Sequence, residues 1–129
     1  MSKSILLCDD ELHIIRAAEF KFKRAGYDVR CASDGEEAWQ MIQQHKPDIL
    51  ITDCQMPRLD GIGLCERIHN DPTTSDIPVV MLTAKGFELS ADELASKYGV
   101  RALNTKPFSP KALLQTAEDI LATETASQP

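Results

Sequence analysis

Residues 49–53, Ile49-Leu50-Ile51-Thr52-Asp53, form a short run of apolar and β-branched side chains that breaks on an acid; residues 79–83, Val79-Val80-Met81-Leu82-Thr83, repeat the pattern and end on a hydroxyl. Runs that are apolar at consecutive rather than alternate positions mark strands covered by helices on both faces, and so predict a parallel sheet. On either side of them, further short runs alternate with segments of helical period, the order of βα units. Residues 5–8 predict the first strand and residues 11–25 a helix that Gly26 stops through a left-handed cap. Residues 29–32 read as the second strand. Ser33-Asp34-Gly35-Glu36 then predicts a helix start, with Glu36 three residues after Ser33 as in a capping box, and that helix ends before Pro47. Asp60-Gly61 predicts a turn and a helix start, with Ile62, Leu64, Cys65 and Ile68 facing inward as far as Asn70-Asp71-Pro72. A fourth helix is expected over residues 88–97, ending at Tyr98-Gly99, and a fifth strand over residues 100–103. Ser109 caps the last helix, with Pro110 at its first position. Right-handed crossovers between five such strands give a doubly wound α/β sandwich.

The 129 residues, 43% hydrophobic and 26% charged, suit one domain with one core. Lys and Arg total 14 against 20 for Asp and Glu, a net charge of −6 with no basic block, which argues against direct nucleic-acid binding. No apolar run approaches the roughly 20 residues of a membrane span, and the N-terminus reaches Cys8-Asp9-Asp10-Glu11 too soon to hold a signal peptide. A cytoplasmic location is expected. Cys8, Cys31, Cys54 and Cys65 stand singly and are expected to be reduced thiols; His13, His45 and His69 make no metal-ligating pair.

In doubly wound sheets, ligands bind beyond the carboxyl ends of the strands. The first, third and fourth strands run directly into Asp9-Asp10, Asp53 and Thr83, and the fifth is followed by Lys106-Pro107, so all four features fall on one rim. Taken singly, Asp9 or Asp10 would be the N-cap of the first helix and Asp60-Gly61 a turn. Taken together, Asp9, Asp10 and Asp53 put three carboxylates side by side. Two unit charges roughly 5 Å apart repel by about 3 kcal/mol at an effective dielectric near 20, so the cluster calls for a cation or a retained proton. Oxygen-only ligation suits magnesium. A carboxylate beside such a metal can attack phosphorus and become an aspartyl phosphate, with Thr83 and Lys106 as donors to the phosphoryl oxygens.

The runs Leu7-Cys8-Asp9-Asp10-Glu11, Asp53-Cys54-Gln55-Met56-Pro57 with Asp60-Gly61, Leu82-Thr83-Ala84 and Lys106-Pro107-Phe108 together resemble the receiver domain of two-component response regulators. The resemblance covers residues 3–122, with 123–129 as a polar tail. It implies a flavodoxin-like fold with strand order 2-1-3-4-5 and five helices. It also implies that Asp53 receives phosphate from a histidine kinase or histidine phosphotransfer protein, and that Asp10, Asp53 and the Gln55 backbone carbonyl bind magnesium, with Asp9 acting mainly through a water. Thr83 and Lys106 would contact the phosphoryl group, Lys106-Pro107 would be cis, and Gln55 and Lys85 would flank the site and tune hydrolysis. One position departs from the pattern: where such domains often carry Tyr or Phe three residues before the Lys-Pro pair, this chain has Leu103. An aromatic flip is therefore not its readout, and activation is expected to rely on the loop Thr83-Ala84-Lys85-Gly86 and the fourth helix.

The output expected is a contact with a downstream protein, from a stand-alone receiver rather than a piece cut from a longer regulator; of Ile14, Ile15, Phe20 and Phe22, most are expected to be core, and any that the helical period leaves unburied would offer a docking patch for a kinase or phosphotransfer partner. A phosphorylation-independent adaptor is the alternative. A phosphatase with an Asp nucleophile is disfavoured, because Gln55 stands where haloacid-dehalogenase-type enzymes place a general acid; turnover on external substrates is not expected.

Overall fold

The computed structural model describes residues 3–56, 58–83, 91–106 and 109–126. Strand and helix alternate throughout: β1 (Ser4–Cys8), α1 (Leu12–Arg24), β2 (Asp28–Ala32), α2 (Gly35–Gln44), β3 (Ile49–Asp53), α3 (Gly61–Asn70), β4 (Val79–Thr83), α4 (Ala91–Tyr98), β5 (Val100–Thr105) and α5 (Pro110–Ala126). All four strand pairings are parallel, in the order β2-β1-β3-β4-β5. This is the flavodoxin-like doubly wound sheet expected from the apolar runs.

Alternate residues of the central strands feed two cores. Ile5, Leu7, Ile49, Ile51, Val80 and Leu82 pack with Ile15, Ala18 and Phe22 of α1 and Leu113, Ala117 and Leu121 of α5. Leu6, Leu50, Val79 and Met81 pack with Ala38 and Ile42 of α2, Leu64, Cys65 and Ile68 of α3 and Leu94 of α4. The helices thus divide as α1 and α5 against α2, α3 and α4. A register shift opposite Val79 and Val80 leaves Arg101 as the extra residue of β5. That bulge lets Val100 and Leu103, three apart, reach the same core.

Several local expectations need correction. Ser33 and Glu36 do not form the capping pair: the N-cap of α2 is Asp34, whose carboxylate accepts the Glu37 N–H at 2.8 Å, while Glu37 Oε1 accepts the Ser33 N–H at 2.7 Å. The helix starts one residue further along, because Gly35 enters it, and Glu37 reaches back past the cap to Ser33 rather than to the Asp34 N–H. Neither Asp9 nor Asp10 is the N-cap of α1. Glu11 holds that position without a side-chain cap bond, and Asp9 Oδ1 instead accepts the Glu11 N–H at 2.9 Å. Of the four apolar residues of α1, Ile15 and Phe22 are core and Ile14 is half-buried, as expected of most of them, and Phe20 alone is exposed, at 65%, with Arg24 stacked 5.7 Å from its ring centre. β5 runs two residues past Leu103, since Asn104 and Thr105 pair with Leu82 and Thr83. α5 runs to Ala126, through residues 123–126 of the expected polar tail; extending a formed helix is cheap, and the Thr123 hydroxyl donates to the Asp119 carbonyl.

Other ends are as read. Gly26 has φ +98°, and the N–H groups of Gly26 and Tyr27 return to the carbonyls of Lys23 and Phe22, a Schellman closure of α1. Asp60 caps α3 by accepting the Gly63 N–H at 2.8 Å. Asp34 has a second duty, since its Oδ1 lies 3.2 Å from Arg58 Nη2, and Arg58 sits at φ +68° in the loop after β3. Asp34→Ala is expected to cost about 1 kcal/mol through the lost cap, read as a lower urea midpoint at unchanged slope.

Candidate functional site

Each acidic side chain arrives at the rim because its strand ends there. Asp53 is the last residue of β3, and Asp9 follows β1, its own N–H donating to the Ala32 carbonyl at 3.1 Å so that the chain stays in register one residue past the strand. β1 and β3 are neighbours in the sheet, so Asp9 and Asp53 are brought together at its centre. Both are buried, at 3% and 6% exposure, while Asp10 and Glu11 are exposed. One carboxylate oxygen from each of Asp9, Asp10, Glu11 and Asp53 lies within 4.8 Å of the others. Glu11 was not among the expected site residues. A third acid directly after Asp9-Asp10 is the sequence signal that points to it.

The balancing charge comes from beyond the sheet's far edge. Lys106 follows β5, and its N–H donates to the Thr83 carbonyl at 2.7 Å, which fixes its backbone against the end of β4. Its ammonium then reaches back over β4 to lie 2.9 Å from Asp9 Oδ2, 3.1 Å from Glu11 Oε1 and 3.2 Å from Asp53 Oδ2. Thr83 closes β4 as a buried residue paired in register with Thr105. The structure thus gathers Asp9, Asp10, Asp53 and Lys106, with Thr83 at the adjoining strand end. Gln55 is exposed, and its backbone follows the end of β3 by two residues. Lys85, Pro107 with its expected cis bond, and the loop from Ala84 to Gly86 lie outside the described residues.

Burial pushes the Asp53 carboxyl above its ordinary value; Lys106 opposes the rise, Asp9 adds to it, and the Gln55 N–H opposes it. Burial alone would lower the Lys106 ammonium, but its contacts with Asp9 and Glu11 and the charges of Asp9 and Asp53 raise it instead. One ammonium therefore faces more negative charge than it can neutralise. Asp9 Oδ2 is buried and accepts no hydrogen bond of good geometry, despite its nearness to Lys106. A donor set made only of carboxylate oxygens, with one oxygen left over, fits a hard divalent cation. The nearby thiols are chemically quiet: burial pushes Cys8 and Cys65 up to about 12 and Cys54 up to about 11.

Leu103, in place of the expected aromatic, is half-buried beside its register partner Met81 and packs on the core beneath α4, along with Tyr98.

An aspartate at the end of a central strand, met by acids from the neighbouring strand and by a lysine from past the last one, defines a class of aspartate-centred signalling modules on a flavodoxin-like sheet. The chain belongs to the response regulator receiver domain family, whose model matches residues 5–118. It is 39% identical over 121 residues to the alkaline phosphatase synthesis transcriptional regulatory protein PhoP of Bacillus subtilis (strain 168), covering 94% of this chain and 49% of that protein. The chain spans about half the length of the curated relatives it matches. Among solved structures, it is similar to a chain from Chloroflexus aurantiacus J-10-fl, with 38% identity and a TM-score of 0.85, covering 95% of this chain and 99% of that one. It is also similar to the chemotaxis protein CheY4 of Vibrio cholerae, with 26% identity and a TM-score of 0.83, covering 92% and 98%. Receiver domains are regulatory modules of two-component systems that bind Mg2+ at an acidic pocket, and this chain gathers acidic side chains around Asp53.

Proposed function

We propose that this chain is a phosphoacceptor switch in which Asp53 takes a phosphoryl group from a histidine kinase or histidine phosphotransfer protein and the altered domain signals to a protein partner. The observation that carries the reading is the buried Asp53 carboxylate at the carboxyl end of β3, 3.2 Å from the Lys106 ammonium and beside Asp9. In the transfer, an Asp53 oxygen forms a bond to phosphorus as the phosphorus–nitrogen bond of the donor histidine breaks, and the imidazole leaves with the proton. Lys106 and Thr83 contact the phosphoryl oxygens, where their donors oppose the gathering negative charge. Asp10, Asp53 and the Gln55 carbonyl would hold Mg2+, and Asp9 would support the ion less directly. The cation, when bound, neutralises charge on nucleophile and phosphoryl group. Residues 3–122 are the receiver unit, and the domain turns over no external substrate beyond loss of its own phosphate.

The downstream partner is a protein rather than nucleic acid, in keeping with a net charge of −6. The proposed location is the cytoplasm, a reducing compartment that suits four unpaired cysteines; no helix among the described residues is long and apolar enough to cross a membrane.

Intact mass after incubation with acetyl phosphate tests the reading. The wild type is expected to gain one phosphoryl group with magnesium and none when the metal is chelated, and Asp53→Asn to gain none in either case. No gain by folded wild type with either acetyl phosphate or a phosphorylated histidine phosphotransfer protein would favour the adaptor reading, and a gain by the variant would move the acceptor elsewhere.

A further inference from the structure

We infer that Glu11 is a positioning residue for Lys106: its carboxylate keeps the ammonium paired when a divalent cation takes over Asp9 and Asp53. The inference rests on the phosphoacceptor reading and adds a residue to it. Without a cation, Lys106 sits among three carboxylates, 2.9 Å from Asp9, 3.1 Å from Glu11 and 3.2 Å from Asp53. A divalent ion entering beside Asp9 and Asp53 repels the ammonium, which must give up those two contacts. Of its three partners, Asp9 and Asp53 have side chains only 4% and 8% exposed, whereas that of Glu11 is 47% exposed, on the solvent side of the pocket. Glu11 is therefore the partner that remains when the other two are taken.

Two further observations fit this role. Glu11 occupies the N-cap position of α1, yet its side chain makes no cap bond and is not spent on the helix. Its N–H is anchored to Asp9 Oδ1 at 2.9 Å, which fixes the base of the side chain at the pocket while leaving the carboxylate to reach Lys106. The other Glu11 oxygen lies 4.0 Å from His13 Nε2, so the two oxygens face different neighbours.

Calorimetric titration with magnesium chloride at neutral pH tests the assignment on the full chain. Glu11→Gln is expected to weaken magnesium binding about three- to five-fold, the range of one partly exposed ion pair. Glu11→Asp, which keeps the charge but shortens the reach, is expected to lose most of the same affinity. Lys106→Met alone is expected to tighten binding, and in that background Glu11→Gln is expected to change it by less than a factor of about 1.5, because the ammonium to be held is gone. An equal loss in both backgrounds, or a Glu11→Asp variant that binds like wild type, would make Glu11 only a charge near the cation and overturn the inference. Wild type that binds no magnesium would instead overturn the phosphoacceptor reading beneath it.

Discussion

Asp53→Asn is expected to be more stable than wild type at neutral pH without divalent cations, while accepting no phosphoryl group. The folded state holds the Asp53 carboxyl above its ordinary value, first because it is buried and further because Asp9 faces it, and Lys106 only partly offsets both. An acid with a raised folded value binds its proton more tightly folded than unfolded, so wild-type stability falls as pH rises from the ordinary aspartate range through the raised value, then levels off. Asparagine has no such decline. The gap between variant and wild type should thus be small at low pH, open across that window, and persist at pH 7. Magnesium should close or reverse it, since a bound cation favours the ionised carboxylate that only the wild type offers. Urea unfolding across pH in chelator, repeated with magnesium, measures both parts. A variant less stable than wild type at pH 7 in chelator would mean that the lost Lys106 contact outweighs relief from burial and from Asp9.

Gly61→Ala is expected to cost roughly 3 kcal/mol, as overpacking against main chain does, and to lower the melting temperature on the order of 10 °C. A Cβ on Gly61 would fall 2.1 Å from the Asp53 carbonyl oxygen and 2.9 Å from the Cys54 Cα, and neither can swing aside as a flexible side chain would. The Gly61 N–H also donates to the Cys54 carbonyl at 2.9 Å, so the close approach is part of how α3 starts against the end of β3. Relief requires the backbone of Asp53 itself to move, so on the proposed reading the surviving folded protein should also accept phosphate from acetyl phosphate more slowly. A variant that melts within about 2 °C of wild type would show that the loop after Asp53 yields easily.

The sheet was legible because β3 and β4 open on apolar residues at consecutive rather than alternate positions, a pattern that strands buried on both faces produce. Asn104 and Thr105 carry no such signal, since an edge strand pairs on one side only and tolerates polar residues near its end; β5 was therefore read two residues short. In α1, the helical period puts Ile15, Ala18 and Phe22 on the core face and Phe20 across from it, which is why most of the apolar residues there were expected to be core and why Phe20 is the one left exposed. The α2 start was misplaced by one residue because Ser33 and Asp34 are both good caps, and only the pairing of Gly35 with the Leu59 carbonyl, 3.0 Å away and far off in sequence, settles which is used. Asp9, Asp10, Asp53, Thr83 and Lys106 could be placed on one rim because each follows a strand. The bond from Lys106 to Glu11 spans 95 positions, and although Glu11 follows Asp9-Asp10 directly, nothing in the sequence pairs it with Lys106, so that contact had to come from the folded chain.

Sequence distance also gives the pocket an order of assembly. The acids belong to the first half of the chain and their counter-ion to a segment read out much later, after β4 and β5. A chain emerging from synthesis presents Asp9 and Asp53 well before Lys106, whose ammonium reaches them only once β5 has docked on β4. A copy broken off before β5 would lack both this counter-ion and the edge of the sheet, and on the proposed reading it would take up no phosphate.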